Sequence, residues 1–352
     1  MIAPFIYSAT TVRVIFGVDS FAALAEEAKL LGIKRVLVIS TPGQTRLAHQ
    51  VATQLGTRCV GTCHQARMHV PIDAVQQTLD QVSQLTVDGI VAIGGGSSIG
   101  LAKAVALETE LPIIAIPTTY SGSEMTPIYG ITEHGVKKTG KASQVQPKVV
   151  IYDPNLTINL PCDVSITSGI NAIAHAVEGL YAKDTNPVVS LMAEEGIRAL
   201  ATGLPIIYRH PDDIEARTQC LYGAWLCGIV LGSVGMALHH KLCHTLGGSF
   251  NLPHAETHTV ILPYVIAYNR EAAPDSMQRI ARALGVQDPA RGMYDLAKSN
   301  GAKVSLREIG MKEADLDAAL HIALQNPYWN PQVIEKKPLE ALLNAAYVGE
   351  AP

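Results

Sequence analysis

The 352-residue chain contains no C-x-x-C pair, and its six cysteines (59, 63, 162, 220, 227 and 243) are scattered along its length. Such spacing does not fit the disulfide framework of a small secreted domain, and a reducing cytoplasm is expected. No run of about eighteen apolar residues occurs. The opening segment MIAPFIYSATTVRVIFG lacks a basic stretch followed by an apolar one, so neither export nor membrane spanning is expected. There is also no basic block: 27 basic against 31 acidic side chains give a net charge of −4. Nucleic-acid binding needs a concentrated positive face, so DNA and RNA are set aside as main partners. Internal repeats and low-complexity segments are missing as well. What the chain does have is 48% hydrophobic residues and a length beyond the roughly 250 to 300 residues at which single cores stop growing. Two globular domains are expected.

The first half alternates short β-branched runs with amphipathic stretches, the pattern of a wound α/β unit with a mostly parallel, Rossmann-like sheet. Strands are expected at 35–39, 57–61, 88–93, 113–116 and 148–151, with helices near 20–31, 43–55, 71–85 and 97–109. Residues 5–16 alternate in the strand manner and suggest a hairpin or an edge strand pairing with a second subunit. From about residue 159 the periodicity becomes helical throughout. The expected division is a dinucleotide-binding α/β domain over 1–158 and an all-helical substrate domain over 159–352.

Residues 88–103, DGIVAIGGGSSIGLAK, read as buried strand, glycine turn and helix start. Gly94, Gly95 and Gly96 clear side chains from the path of a pyrophosphate, and Ser97 and Ser98 open a helix whose free N–H groups favour an anion. A tight βα connection would use the same glycines for a different reason, so the next loop matters. In 115–128, AIPTTYSGSEMTPI, a strand ends and Thr118, Thr119, Ser121 and Ser123 follow with small neighbours. Ligands of open parallel sheets bind beyond the carboxyl ends of strands, so two such loops can face one dinucleotide. After the strand RVLVI, the ribose position falls on Ser40 or Thr41. Without a carboxylate there to repel a 2′-phosphate, NADPH is expected to be accepted beside NADH. Lys137, Lys138 and Lys141 read as a small basic loop; Lys138 is a candidate for a phosphate or substrate carboxylate, against the plainer reading of a solvated face.

Three pairs in the second half have the i, i+4 spacing of one helix face: Asn171 with His175, His240 with His244, and His254 with His258. Five of the twelve histidines lie between 239 and 258. A lone histidine is more often structural than functional, but convergent imidazoles suit a metal or a charged transition state. Asn171 offers only a neutral carbonyl, which weakens the case for Fe²⁺ or Zn²⁺. Glu178 either supports the cluster or is a capping carboxylate, and on a regular helix Lys241 faces away from His240 and His244.

These motifs resemble the iron-containing alcohol dehydrogenase superfamily over essentially the whole chain: GGGS at 94–97, PTT-x-SGSE at 117–124 and the histidine helices. Within it, the maleylacetate reductase branch is suggested by GGGSSIGLAK with Gly100 where the alcohol dehydrogenases usually carry Asp, SGSEMTPIYGIT at 121–132, HHKLCHTLGG at 239–248, PHAETH at 253–258 and NPYWNP at 326–331. The resemblance implies the dehydroquinate synthase-like architecture and a homodimer. It places the superfamily's metal positions on Asn171, His175, His240 and His254, with the single carboxylate ligand replaced, and so implies a reductase that works without added metal. It sets His244 beside the substrate carbonyl. The implied reaction is NAD(P)H-dependent reduction of the carbon–carbon double bond of a small dicarboxylate, maleylacetate, to 3-oxoadipate in the breakdown of aromatic compounds, with His175, His240 and His254 holding carboxylates or the ketone. A metal-dependent alcohol or ketone dehydrogenase is the rival, and a non-catalytic nucleotide-binding protein a remote third.

Overall fold

The computed structural model describes residues 4–9, 11–133, 136–325 and 327–352, the side chains of Val136 and Lys137 excepted. The chain divides into two compact units, one of Thr10–Leu160 and one of Met1–Ala9 with Pro161–Pro352. Of the described residues before β1, 4–9 group with the helical unit.

In the α/β unit, β1 (Arg13–Phe16), β2 (Val36–Ile39), β3 (Cys59–Cys63), β4 (Gly89–Gly94), β5 (Ile113–Pro117) and β8 (Val149–Tyr152) form a six-stranded sheet in the order β1-β8-β5-β4-β2-β3. Every pairing is parallel. Four of these strands, VLVI, GIVAIG, IIAIP and VVIY, are buried along their whole length. Such unbroken apolar runs are what a parallel sheet covered on both faces requires. The crossovers are α1 (Leu24–Leu30), α2 (Thr45–Leu55), α3 (Ile72–Gln84) and α4 (Gly96–Thr109). From β2 the chain goes outward to β3 on one side and returns to β4 on the other, so the strand order reverses between β2 and β4. The crevice beyond the carboxyl ends of those two strands is the expected ligand position.

Two expectations need correction. Within 5–16, only Arg13–Phe16 is a strand among the described residues, and it pairs with β8 of the same chain, Arg13 opposite Val149. It is an edge strand and not half of a hairpin. The hairpin lies elsewhere: β6 (Ile128–Glu133) and β7 (Val136–Lys141) pair antiparallel, Ile128 opposite Lys141. The basic stretch expected as a loop is therefore strand. Lysines alternating with Val, Thr and Gly disguise a two-stranded ribbon that buries little on either face.

The helical unit contains α5 (Cys162–Tyr181), α6 (Pro187–Arg209), α7 (Ile214–Ser233), α8 (Leu238–Phe250), α9 (His254–Tyr268), α10 (Pro274–Leu284), α11 (Pro289–Ser299), α12 (Leu316–Leu324) and α13 (Lys336–Val348), with no strand among its described residues. Every residue of α5 from Ser165 to Tyr181 is buried, so it is the central helix. Helices α6 and α7 approach closely because glycines face sulfurs: a Cβ on Gly203 would stand 2.6 Å from Cys220 Sγ, and one on Gly196 2.7 Å from Cys227 Sγ. The next helix, α8, leaves α7 at an angle of 96°. Among the described residues no single helix is long and apolar enough to cross a membrane.

Candidate active site

In the α/β unit, the candidate nucleotide-binding residues gather at the turn after β4. Gly94 has φ +137°, and a Cβ there would lie 2.3 Å from Gln44 Oε1 and 2.5 Å from Ser98 Oγ. A Cβ on Gly95 would lie 2.8 Å from Thr119 Cγ2, whereas one on Gly96 would meet nothing nearer than Ser121 Oγ at 3.8 Å. The first two glycines thus serve the close packing of loops, and Gly96 is the position left open to a ligand. Gly95 precedes the first turn of the 14-residue α4 and no side chain caps it; Ser98 N–H turns back to Gly95 O at 3.1 Å, and the amides of Gly96 and Ser97 are left in the uncapped arrangement that suits an anion. Ser98 Oγ and Thr119 Oγ1 are buried and find no hydrogen-bond partner within the protein. Buried hydroxyls are ordinarily satisfied, so these two fit a bound nucleotide. Ser97 is half-buried at the start of α4.

Thr118 is tied in by its N–H to Gly94 O at 3.0 Å and by Gln44 Nε2, which donates to its Oγ1 at 2.8 Å. Gln44, which the sequence reading passed over, thereby joins the β2 loop to the β5 loop across the switch point. Of the two ribose candidates, Ser40 is fully buried and its hydroxyl engages His64 Nδ1 at 2.8 Å and Thr41 O at 3.1 Å. Ser40 therefore shapes the loop, and Thr41 remains the partly exposed member of the pair. Lys138 stands 70% exposed in an ion pair with Glu133, so its ammonium is spent on the hairpin; the Lys137 side chain lies outside the described residues.

The loop from Ser121 to Ile128 is fixed from below by Lys103. This lysine is fully buried on α4, and its Nζ donates to Ser123 O, Thr126 O, Thr126 Oγ1 and Ile128 O at 2.6 to 3.0 Å. Ser123, expected to touch cofactor, contributes its carbonyl to this clamp. Burial pulls the Lys103 ammonium down to about 7, with Glu124 working in the opposite direction. Glu124 is itself fully buried, accepts from Tyr152 OH at 2.7 Å, and is pushed up by burial.

The helical unit holds a histidine cluster of its own. His175 Nδ1 and His240 Nε2 are 2.9 Å apart, and His240 Nδ1 meets Glu178 Oε2 at 2.7 Å. Glu178 also accepts from Ala237 N and His239 N, both at 2.7 Å, so it caps the start of α8 while orienting His240. Both roles offered for Glu178 are real and are performed together. A second pair runs beside the first: His239 Nε2 and His258 Nδ1 are 2.8 Å apart, and the His258 ring lies 4.5 Å from that of His254 and 5.0 Å from that of His240. Burial holds His239 and His258 well below the usual histidine range, with neighbouring imidazoles adding to the effect, so both are neutral. Asn171, one turn before His175, is buried with Oδ1 unpartnered. His244 is half-buried, its ring 6.1 Å from that of His240 and its Nδ1 3.2 Å from Tyr328 OH.

The expected set Asn171, His175, His240, His244 and His254 therefore lies in or around one cluster, together with Glu178 and His258, which the sequence had also singled out, and the structure adds His239 and Tyr328. Adjacent histidines at 239 and 240 were the sequence signal for a second imidazole pair. Tyr328 lay within NPYWNP, whose first residue, Asn326, is outside the described residues. Lys241 corrects an expectation: three residues before His244, it shares that side of α8 and does not face away from it, and its Nζ lies 5.9 Å from the centroid of the Tyr328 ring. His239, Cys243 and His258 bring three donor atoms within 4.8 Å. The 2.8 Å between the two imidazole nitrogens is hydrogen-bond spacing, shorter than the roughly 3.3 Å that tetrahedral zinc imposes on nitrogens at its ordinary bond lengths.

Comparison with known proteins finds matches over both units. The model of the iron-containing alcohol dehydrogenase matches residues 11–154, and that of the C-terminal part of the Fe-containing alcohol dehydrogenase family matches residues 165–347. Maleylacetate reductase from Pseudomonas sp. (strain P51) is 57% identical over 348 residues, 99% of each chain. The same enzyme from Burkholderia cepacia is 53% identical over 348 residues, again 99% of each chain. The crystal structure of maleylacetate reductase from Agrobacterium tumefaciens is similar with a TM-score of 0.96 and 49% identity, covering 99% of this chain and 100% of that one. With a parallel-sheet nucleotide unit, a helical histidine unit and matches spanning both, the chain belongs to the iron-containing alcohol dehydrogenase family.

Proposed function

We propose that this enzyme reduces the carbon–carbon double bond of maleylacetate to give 3-oxoadipate, with NADH as reductant, NADPH also accepted, and no resident metal. The observation that carries the metal-free reading is the joined histidine pair with its spent carboxylate. At the four family metal positions stand three imidazoles and the neutral Asn171, two of the imidazoles are hydrogen-bonded to each other, and Glu178 is committed to two backbone amides and His240. A resident Fe²⁺ or Zn²⁺ fits this set poorly, because no anionic ligand offsets its charge. The substrate is suggested by the relatives described above.

Bound NADH would supply the hydride, held by the N–H groups at the start of α4 and by Ser98 and Thr119. Hydride addition at the alkene carbon β to the ketone moves the electron pair of the double bond into an enolate. His244 then delivers a proton to the carbon next to the ketone, closing the balance of one hydride and one proton. His254, and His175 when protonated at Nε2, bind carboxylate or ketone oxygen, His240 orients His175 because both of its own ring nitrogens are engaged, and Asn171 presents a buried carbonyl to a donor. We further infer a homodimer and a reducing cytoplasm. The first is supported by the exposed apolar side chains of Phe5 and Ile6, the second by six free cysteines.

The deciding experiment is NADH oxidation by chelator-treated enzyme offered maleylacetate, with simple aldehydes and ketones in parallel. Rapid turnover of maleylacetate without metal is expected. Activity on carbonyls alone, restored by Fe²⁺ or Zn²⁺, would move the enzyme among the metal-dependent dehydrogenases.

A further inference from the structure

Lys241 precedes His244 by three residues on α8, so both point toward one side of that helix. Tyr328 touches both: its ring lies 5.9 Å from Lys241 Nζ, and its hydroxyl lies 3.2 Å from His244 Nδ1. Among the described residues no ion pair includes Lys241. The carboxylate of the cluster, Glu178, is already occupied by Ala237, His239 and His240. A half-buried ammonium thus rests on an aromatic face next to the proposed proton donor. An aromatic face holds a cation more weakly than a carboxylate does, so this charge is positioned but not neutralised. A neutral aldehyde has no use for it.

We propose that Lys241 is the specificity-determining cation of the site, donating a charge-assisted hydrogen bond to one terminal carboxylate of a dicarboxylate substrate. Tyr328 positions both partners, the ammonium against its ring and His244 through its hydroxyl. The anion is thereby anchored at a fixed distance from the group that protonates the enolate. This inference rests on the reading of the substrate as a dicarboxylate and adds the residue that selects for it. It also accounts for how a site without a metal ion draws in a dianion, since the buried imidazoles His239 and His258 are neutral.

The test compares wild type with Lys241→Met, which keeps the apolar stem, and Lys241→Arg, which keeps the charge. Lys241→Met should raise KM for maleylacetate about 10- to 100-fold, the range for a lost hydrogen bond to a charged group. Its kcat should fall less than KM rises, and its KM for NADH should not move. Inhibition by a saturated dicarboxylate such as adipate should weaken in parallel, and Lys241→Arg should recover most of both losses. A Lys241→Met enzyme with wild-type KM for maleylacetate, or one whose KM for NADH rises in step, overturns the assignment. If wild type itself fails to reduce maleylacetate, the proposed function falls first, so the two failures are distinguishable.

Discussion

The Glu178 carboxylate and the His240 ring are joined by a 2.7 Å hydrogen bond in which the histidine side chain is 5% exposed and the glutamate 0%. A carboxylate so placed accepts the Nδ1 proton and leaves Nε2 of a neutral His240 as an acceptor, which His175 Nδ1–H can then fill. One buried charge thus sets the tautomers of two imidazoles.

Replacing Glu178 separates its two tasks. Glu178→Ala leaves two α8 amides and the His240 N–H without their acceptor, at a cost of about 1–3 kcal/mol for each group left unsatisfied, and thermal denaturation should show the loss. Glu178→Gln keeps an oxygen either for His239 N–H or for the Ala237 N–H and His240 pair and should fold, but with kcat reduced about 10- to 100-fold. A Glu178→Gln enzyme with wild-type kcat would remove the carboxylate from any part in orienting His240.

His244→Ala should lower kcat by about two to four orders of magnitude, the usual contribution of a positioned general acid. Tyr328→Phe keeps the ring under Lys241 and loses only the hydroxyl, so a smaller fall is expected. Steady-state NADH oxidation measures both, and near-normal turnover by His244→Ala would assign the proton to another group.

The elements of both units were readable from apolar periodicity because their burial is regular: β2, β4, β5 and β8 are wholly buried, and α5 is enclosed along nearly its full length. The β6–β7 ribbon was not readable, since its partly buried residues show no clean apolar alternation. At the site, i, i+4 spacing brought out Asn171, His175, His240 and His244, whose relation is local to a helix. Partnerships across helices, such as His239 with His258 or Tyr328 with His244, depend on tertiary packing that spacing does not record. Ser40 and Lys138 carry polar groups that suit a ligand, and their protein partners, His64 and Glu133, are visible only in the fold.

Two glycines of one turn should respond differently to alanine. Gly94→Ala combines a positive φ with clashes against Gln44 and Ser98 and should cost roughly 1–3 kcal/mol of stability. Gly96→Ala meets no close neighbour, so its stability should stay within about 0.5 kcal/mol, and under the proposed nucleotide position the new methyl would obstruct the pyrophosphate and raise KM for NADH. Denaturant titration with parallel NADH kinetics separates the two effects.

Lys103 makes a pH prediction. Burial lowers its folded-state value from 10.5 to about 7, so between those limits the unfolded chain holds a proton that the folded chain has released. Stability from this group therefore rises with pH through that window, by up to about 1.4 kcal/mol per unit. The difference in unfolding free energy between wild type and Lys103→Met should increase from pH 7 to 10. A flat difference would mean that the ammonium, held by its four oxygen contacts, stays charged throughout.

The glycine-to-sulfur packing of α6 against α7 has a practical consequence. Cys220 and Cys227 are fully buried, and burial holds both thiols protonated far above the usual range, whereas Cys59 and Cys162 are partly exposed. A thiol reagent should modify the latter two quickly and reach the former two only when the helices part. The labelling rate at Cys220 and Cys227 is then an intrinsic clock for opening of the helical unit, readable by mass spectrometry without adding any probe to the chain.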